Sequence, residues 1–202
     1  MTSHQYAAGT KPFRARRHLT PVHSGGVVTQ PYGDRGAGHP WLTAAAEMAG
    51  LTCCPALPGE ACPPLVCTRI QEMDAREIRG GREFSLATLQ QWGLTERRED
   101  IAIVVSELLT NAFRHAVPGL GQSRPGWPVR LGLLHSAPHV LCAVADPSSS
   151  VPVLRKPHGL AECGRGLHVV RALSEAWGHT AYATPSETGK VVWAMFTELP
   201  RG

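Results

Sequence analysis

Residues 101–115 read IAIVVSELLTNAFRH. Ile101, Val104, Val105, Leu108, Leu109 and Ala112 recur at i, i+3, i+4, i+7, i+8 and i+11. On a helix that turns about 100° per residue they make one apolar stripe. Thr95 stands ahead as an N-cap residue, with Arg98 where a capping box would carry Glu, and Pro118-Gly119 ends the helix. Glu107 and Asn111 are four apart, lie one above the other and border the stripe, and His115 continues their line one turn later. A carboxylate and an amide at the edge of a core are costly unless something satisfies them. Hydrogen bonds to backbone would do so. So would a ligand, with Asn111 giving an oxygen to a hard cation and Glu107 holding or activating water, since Mg²⁺ prefers oxygen donors.

Outward from this helix the pattern stays regular. Upstream, Asp74–Trp92 reads as a helix with Ile78, Phe84, Leu86 and Leu89 apolar, weakened by Gly80-Gly81 and closed by Gly93. Downstream, Val129, Leu131 and Leu133 alternate as a strand, and Val140, Cys142 and Val144 as the next. A Pro/Ser-rich loop precedes a helix over Leu167–Ala176, and strands near Gly178–Thr184 and Lys190–Leu199 close the chain. Helix, helix, strand, strand, helix, strand, strand, with short turns between adjacent strands, predicts an α+β two-layer sandwich rather than a doubly wound α/β fold.

Two further polar clusters punctuate this frame. Asp146 ends a strand before Pro147-Ser148-Ser149-Ser150. It is a turn former or an acceptor for an exocyclic amine such as adenine's. Gly164-Arg165-Gly166 opens the Leu167 helix, where glycines allow close backbone approach, the helix start offers unpaired N–H groups to phosphate, and Arg165 adds a charged donor. A plain loop-to-helix turn is the competing reading, and Gly159–Cys163 ahead of it reads as a lid segment. Familiar nucleotide motifs fail. Gly189-Lys190 lacks the P-loop's Ser/Thr and first glycine, having Val191 and Thr184 there, and Gly164-Arg165-Gly166 meets Val169 where a dinucleotide fingerprint needs glycine.

Together these clusters resemble the GHKL ATPase superfamily of gyrase, heat-shock chaperone, histidine kinase and mismatch-repair ATPases, and within it the anti-sigma regulatory factor branch of serine kinases in its actinobacterial form. The matching stretches are Ala75–Leu94, Val104–His115, Val144–Pro152, Gly164–Trp177 and Gly189–Ala194, in family order. The resemblance implies a mixed, mostly antiparallel sheet backed by helices, with ATP and Mg²⁺ bound beside a lid. It implies Asn111 as the Mg²⁺ ligand, Glu107 as general base and Asp146 as the adenine-reading acid. Gly164, Arg165, Gly166 and Leu167 would contact phosphate, and His115 would face phosphate or ribose. The implied function is an ATP-binding regulator that phosphorylates or sequesters a partner, as a protein-serine/threonine kinase, with a sigma factor or a STAS-type anti-sigma antagonist as partner and a homodimer as its form. A non-catalytic, nucleotide-dependent interaction switch is the alternative. Two departures stand out: Pro147-Ser148-Ser149-Ser150 replaces a glycine-rich stretch, and Val191 replaces the usual Thr or Ser, removing a hydroxyl from the adenine side.

Residues 69–202 hold this domain. Residues 1–68 carry eight Pro and eight Gly and no sustained period, which predicts a flexible extension with little core of its own, apart from a helical turn or two over Ala44–Ala49. Net charge is +4, with five basic and three acidic residues up to position 68. Only Lys11–Arg17 is locally basic, so direct nucleic-acid binding is not expected. Cys53, Cys54, Cys62 and Cys67, with His39, lack the paired C-x2-C spacing of a zinc site. No apolar run suits a membrane span or a signal-peptide core, so a cytoplasmic protein with reduced thiols is expected.

Overall fold

The computed structural model describes residues 30–31, 40–51, 65–70, 75–115, 129–154, 165–185 and 187–198. Its elements in chain order are β1 (Gln30–Pro31), α1 (Pro40–Met48), β2 (Leu65–Ile70), α2 (Ala75–Gln91), α3 (Arg98–His115), β3 (Val129–Ser136), β4 (His139–Asp146), α4 (Gly166–Leu173), β5 (Ala176–Ala183) and β6 (Thr188–Thr197). The strands form one sheet in the order β1-β2-β3-β4-β6-β5. The α+β sandwich is as expected, but every described pairing is antiparallel rather than mixed. The connections explain this. Hairpins join β3 to β4 and β5 to β6, and the α2–α3 pair between β2 and β3 returns the chain antiparallel to β2.

Alternation along the strands divides the sheet into two faces. Leu131, Leu133, Val140, Cys142, Val144, Val192, Ala194 and Phe196 face α2, α3 and α4, and the α3 stripe of Ile101, Val104, Val105, Leu108, Leu109 and Ala112 packs onto them. The intervening residues Leu141, Ala143, Ala145, Val191 and Trp193 face the other way and are covered by Trp41, Leu42, Ala45 and Ala46 of α1. These four α1 residues are fully buried. Burying a large side chain is worth roughly 1.5–3 kcal/mol, so α1 is a structural third layer. The expectation of an extension with little core does not describe residues 40–51, and the expected domain boundary at 68/69 falls inside β2. The hidden signal was Trp41-Leu42 followed by Ala45-Ala46, an i, i+1, i+4, i+5 stripe too short to stand out among prolines and glycines.

Local boundaries shift for identifiable reasons. α2 runs unbroken through Gly80-Gly81, and Ser85 donates to the Gly81 carbonyl at 2.8 Å. α3 begins at Arg98, three residues after Thr95, with Arg97 Nη1 donating to Asp100 in its first turn at 3.2 Å. α4 stops at Leu173, since Ser174 is extended (φ −105°, ψ 154°) and Glu175 N–H already bonds the Met195 carbonyl of β6. The single helix expected over 167–176 therefore gives its last residue, Ala176, to β5.

Register orients the site. Ala176 pairs with Met195 and Asp146 with Lys190, so the start of α4, the end of β4 and the start of β6 share one end of the sandwich. A cavity of about 300 Å³ at the opposite end is lined by Ile101, Val140, Phe196 and Thr197 among others, which places the start of α3 there. α3 thus runs alongside β4 and carries Glu107 and Asn111 toward the end that holds Asp146.

Candidate functional site

Two elements bring the first cluster together. Gly166 is the first residue of α4, and it sits directly against α3. A Cβ built on Gly166 would lie 2.7 Å from Glu107 Oε2, 3.2 Å from Asn111 Nδ2 and 3.3 Å from Asn111 Oδ1. A methyl group here would have to displace the Glu107 carboxylate, so glycine lets the two polar side chains come up against the backbone of α4. Asn111 Nδ2 is buried and has no hydrogen-bond partner among the described residues. An unsatisfied buried amide costs about 1–3 kcal/mol, and such groups in native structures need an explanation. The reading of Glu107 and Asn111 as a boundary pair bonded to backbone offers none for this atom.

The helix start adds complementary chemistry. Arg165 precedes α4 with an exposed side chain and no side-chain cap, and its carbonyl accepts from His168 and Val169 N–H. The earlier N–H groups, at Gly166 and Leu167, are those a helix start leaves for an anion. Leu167 itself is buried and anchors the turn. Gly164, the Gly159–Cys163 segment and the side chain of His115 lie outside the described residues, as do His39, Cys53, Cys54, Cys62, Cys163, the Lys11–Arg17 run and the side chain of Cys67.

Asp146 is 1% exposed. Its Oδ1 accepts from Ser148 N–H at 2.8 Å, so it does form the turn that its neighbours suggest. The same oxygen accepts from Lys190 Nζ, also at 2.8 Å, and Lys190 is itself buried. Sequence reasoning passed over Lys190 as part of a failed P-loop. The available signal was a lysine on the inward-facing, otherwise apolar alternation of β6. That alternation also corrects the reading of Val191. Its side chain is buried against the α1 layer on the opposite face, so its missing hydroxyl does not bear on the Asp146 side.

Close backbone packing fixes this corner. A Cβ on Gly189 would lie 2.3 Å from the Asp146 carbonyl oxygen and 3.0 Å from the Tyr182 ring. Backbone cannot yield as a side-chain tip can. Gly189→Ala is therefore expected to destabilise the protein by about 3 kcal/mol through overpacking, read as a shift in the urea midpoint. Burial, then the charge of Glu187, raises the Tyr182 pKa, so the phenol next to Gly189 stays neutral at physiological pH. Cys142, buried under α3, is pushed up to about 12 by desolvation and is an inert thiol. No group of three or more His, Cys, Asp or Glu suited to a metal occurs among the described residues.

Residues 72–196 match the model of the histidine kinase-like ATPase domain. The chain belongs to this family. No curated protein matches the chain. Membership implies ATP as ligand, usually with Mg²⁺. The residues present fit that pair: Asn111 Oδ1 and the Glu107 carboxylate, both against Gly166, are oxygen donors of the kind Mg²⁺ takes, while Asn111 Nδ2, without a partner among the described residues, suits a phosphate oxygen, and the α4 start faces them. Asn111 would hold the cation, which when bound supplies charge neutralisation to phosphate oxygens. No helix among the described residues is long and apolar enough to cross a membrane.

Proposed function

We propose that this histidine kinase-like ATPase domain serves as a Mg-ATP-dependent regulator that phosphorylates a serine or threonine of a protein partner. The observation that carries the reading is the convergence of Glu107 and Asn111 on Gly166 at the start of α4. Phosphoryl transfer asks the protein mainly for positioning and charge stabilisation, and this corner supplies both. The N–H groups of Gly166 and Leu167 and the Arg165 guanidinium hold phosphate oxygens. In this reading the Glu107 carboxylate orients the incoming hydroxyl and accepts its proton as the oxygen bonds the γ-phosphorus. The bond to the β–γ bridging oxygen breaks, and ADP leaves.

The partner class follows from the sequence resemblance: a STAS-type anti-sigma antagonist as phosphoacceptor, a sigma factor as the sequestered protein, and a homodimer as the acting form. A switch without catalysis uses the same pocket, with nucleotide ordering the surface that a partner reads. Incubation with γ-labelled ATP, Mg²⁺ and STAS-type candidate proteins separates the two. Label on the partner's serine or threonine is expected. ATP binding with no transfer to any candidate would sink the kinase reading and leave the switch.

A further inference from the structure

We propose that Lys190 reads the base directly, donating to N1 of adenine while Asp146 accepts from the exocyclic amine. This rests on the nucleotide reading of the site and adds to it a specificity-determining residue. Lys190 is 6% exposed, at an otherwise apolar alternation of β6, on the face shared with α3 and α4. An ammonium carries three donors. One goes to Asp146 Oδ1 at 2.8 Å, and the other two meet no acceptor among the described residues. Buried donors left unmet are costly, and Asn111 Nδ2, at the same end of the sandwich, likewise has no partner among the described residues.

The pairing also selects what comes next. An unpaired ammonium would draw phosphate. With its charge balanced by Asp146, this corner suits a neutral, hydrogen-bonding group, while phosphate is met at the α4 start. A carboxylate beside an ammonium offers an acceptor next to a donor. Adenine presents the complement on one edge, the N6 amine as donor and N1 as acceptor. Guanine presents the reverse, O6 as acceptor and N1–H as donor, so its oxygen would face the carboxylate and its N–H the ammonium. Lys190 therefore both recruits adenine and rejects guanine.

The test is calorimetric titration of the full chain with Mg²⁺ and ATP, 1-deaza-ATP or GTP. In 1-deaza-ATP a C–H replaces N1 and the exocyclic amine is kept. The wild-type chain is expected to bind it about ten- to a hundredfold more weakly than ATP, the range for a lost charge-assisted hydrogen bond, and GTP more weakly still. Lys190→Gln keeps neutral N–H donors and is expected to retain part of the preference for ATP. Lys190→Met is expected to lose it, binding ATP and 1-deaza-ATP alike. Since Lys190→Met strips a buried carboxylate of its counter-charge, the wild-type comparison decides if that variant does not fold. Equal wild-type affinity for ATP and 1-deaza-ATP overturns the role of Lys190 and leaves the nucleotide reading standing. No binding of any nucleotide overturns both.

Discussion

Trp41→Ala is expected to cost the folded protein about 3–5 kcal/mol, the range for emptying a buried aromatic site. Trp41 has no exposed surface and packs with Leu42, Ala45 and Ala46 on Leu141, Ala143, Val191 and Trp193. A domain is stable by only about 5–15 kcal/mol, so this one truncation removes a large share. Urea unfolding followed by circular dichroism checks it, with Met48→Ala as the control, since Met48 is 58% exposed on the same helix. A midpoint for Trp41→Ala within error of the parent would mean that α1 does not hold the sheet. The family match begins at residue 72, after α1 and β2. A chain cut to begin there would bare the apolar face of β4 and β6 and leave β3 without its outer neighbour. It is expected to aggregate where the full chain is soluble.

Most of the sandwich was legible because the helical side of the sheet carries long, clean periods. The α3 stripe and the Val140-Cys142-Val144 alternation each point to one buried face, and both lie in the core between the sheet and α2, α3 and α4. What escaped was the material that acts only at long range. β2 is six residues in a Pro-rich context, and its pairing with β3 spans some sixty residues of chain that no local pattern reveals. α1 is nine residues long, too short to be stable alone, and exists because a sheet face is there to cover. Glu107 and Asn111 could be placed on one helix edge by counting. That Gly166 abuts them depends on how α4 crosses α3, which spacing does not encode. Lys190 was hidden by a different route. Its partner Asp146 is 44 positions away, and only strand register sets them opposite one another.

Asn111→Ala is expected to lower affinity for Mg-ATP by at least about a hundredfold, the loss reached by disturbing even the outer partners of a metal site, and to leave the free protein no less stable. The two effects come from the two ends of one amide: Oδ1 would hold the cation, while Nδ2 is buried without a partner among the described residues, so removing it relieves an unmet hydrogen-bonding demand worth about 1–3 kcal/mol, against which the smaller side chain loses some packing. A residue kept for structure behaves the other way, and its removal lowers the melting temperature. Calorimetric titration paired with a melting curve of the free variant reads both quantities. Undiminished binding would take Asn111 out of the site, and a marked fall in melting temperature would make it a fold residue. Glu107→Gln completes the argument, because it keeps the shape beside Gly166 while removing the basic oxygen. If Glu107 takes the hydroxyl proton, this variant binds ATP like the parent and transfers phosphate about 10²–10⁴-fold more slowly, the range for general base catalysis. If the protein is a switch, Glu107→Gln leaves partner binding intact and Asn111→Ala abolishes it, so the two substitutions together assign the corner at Gly166 to chemistry or to signalling.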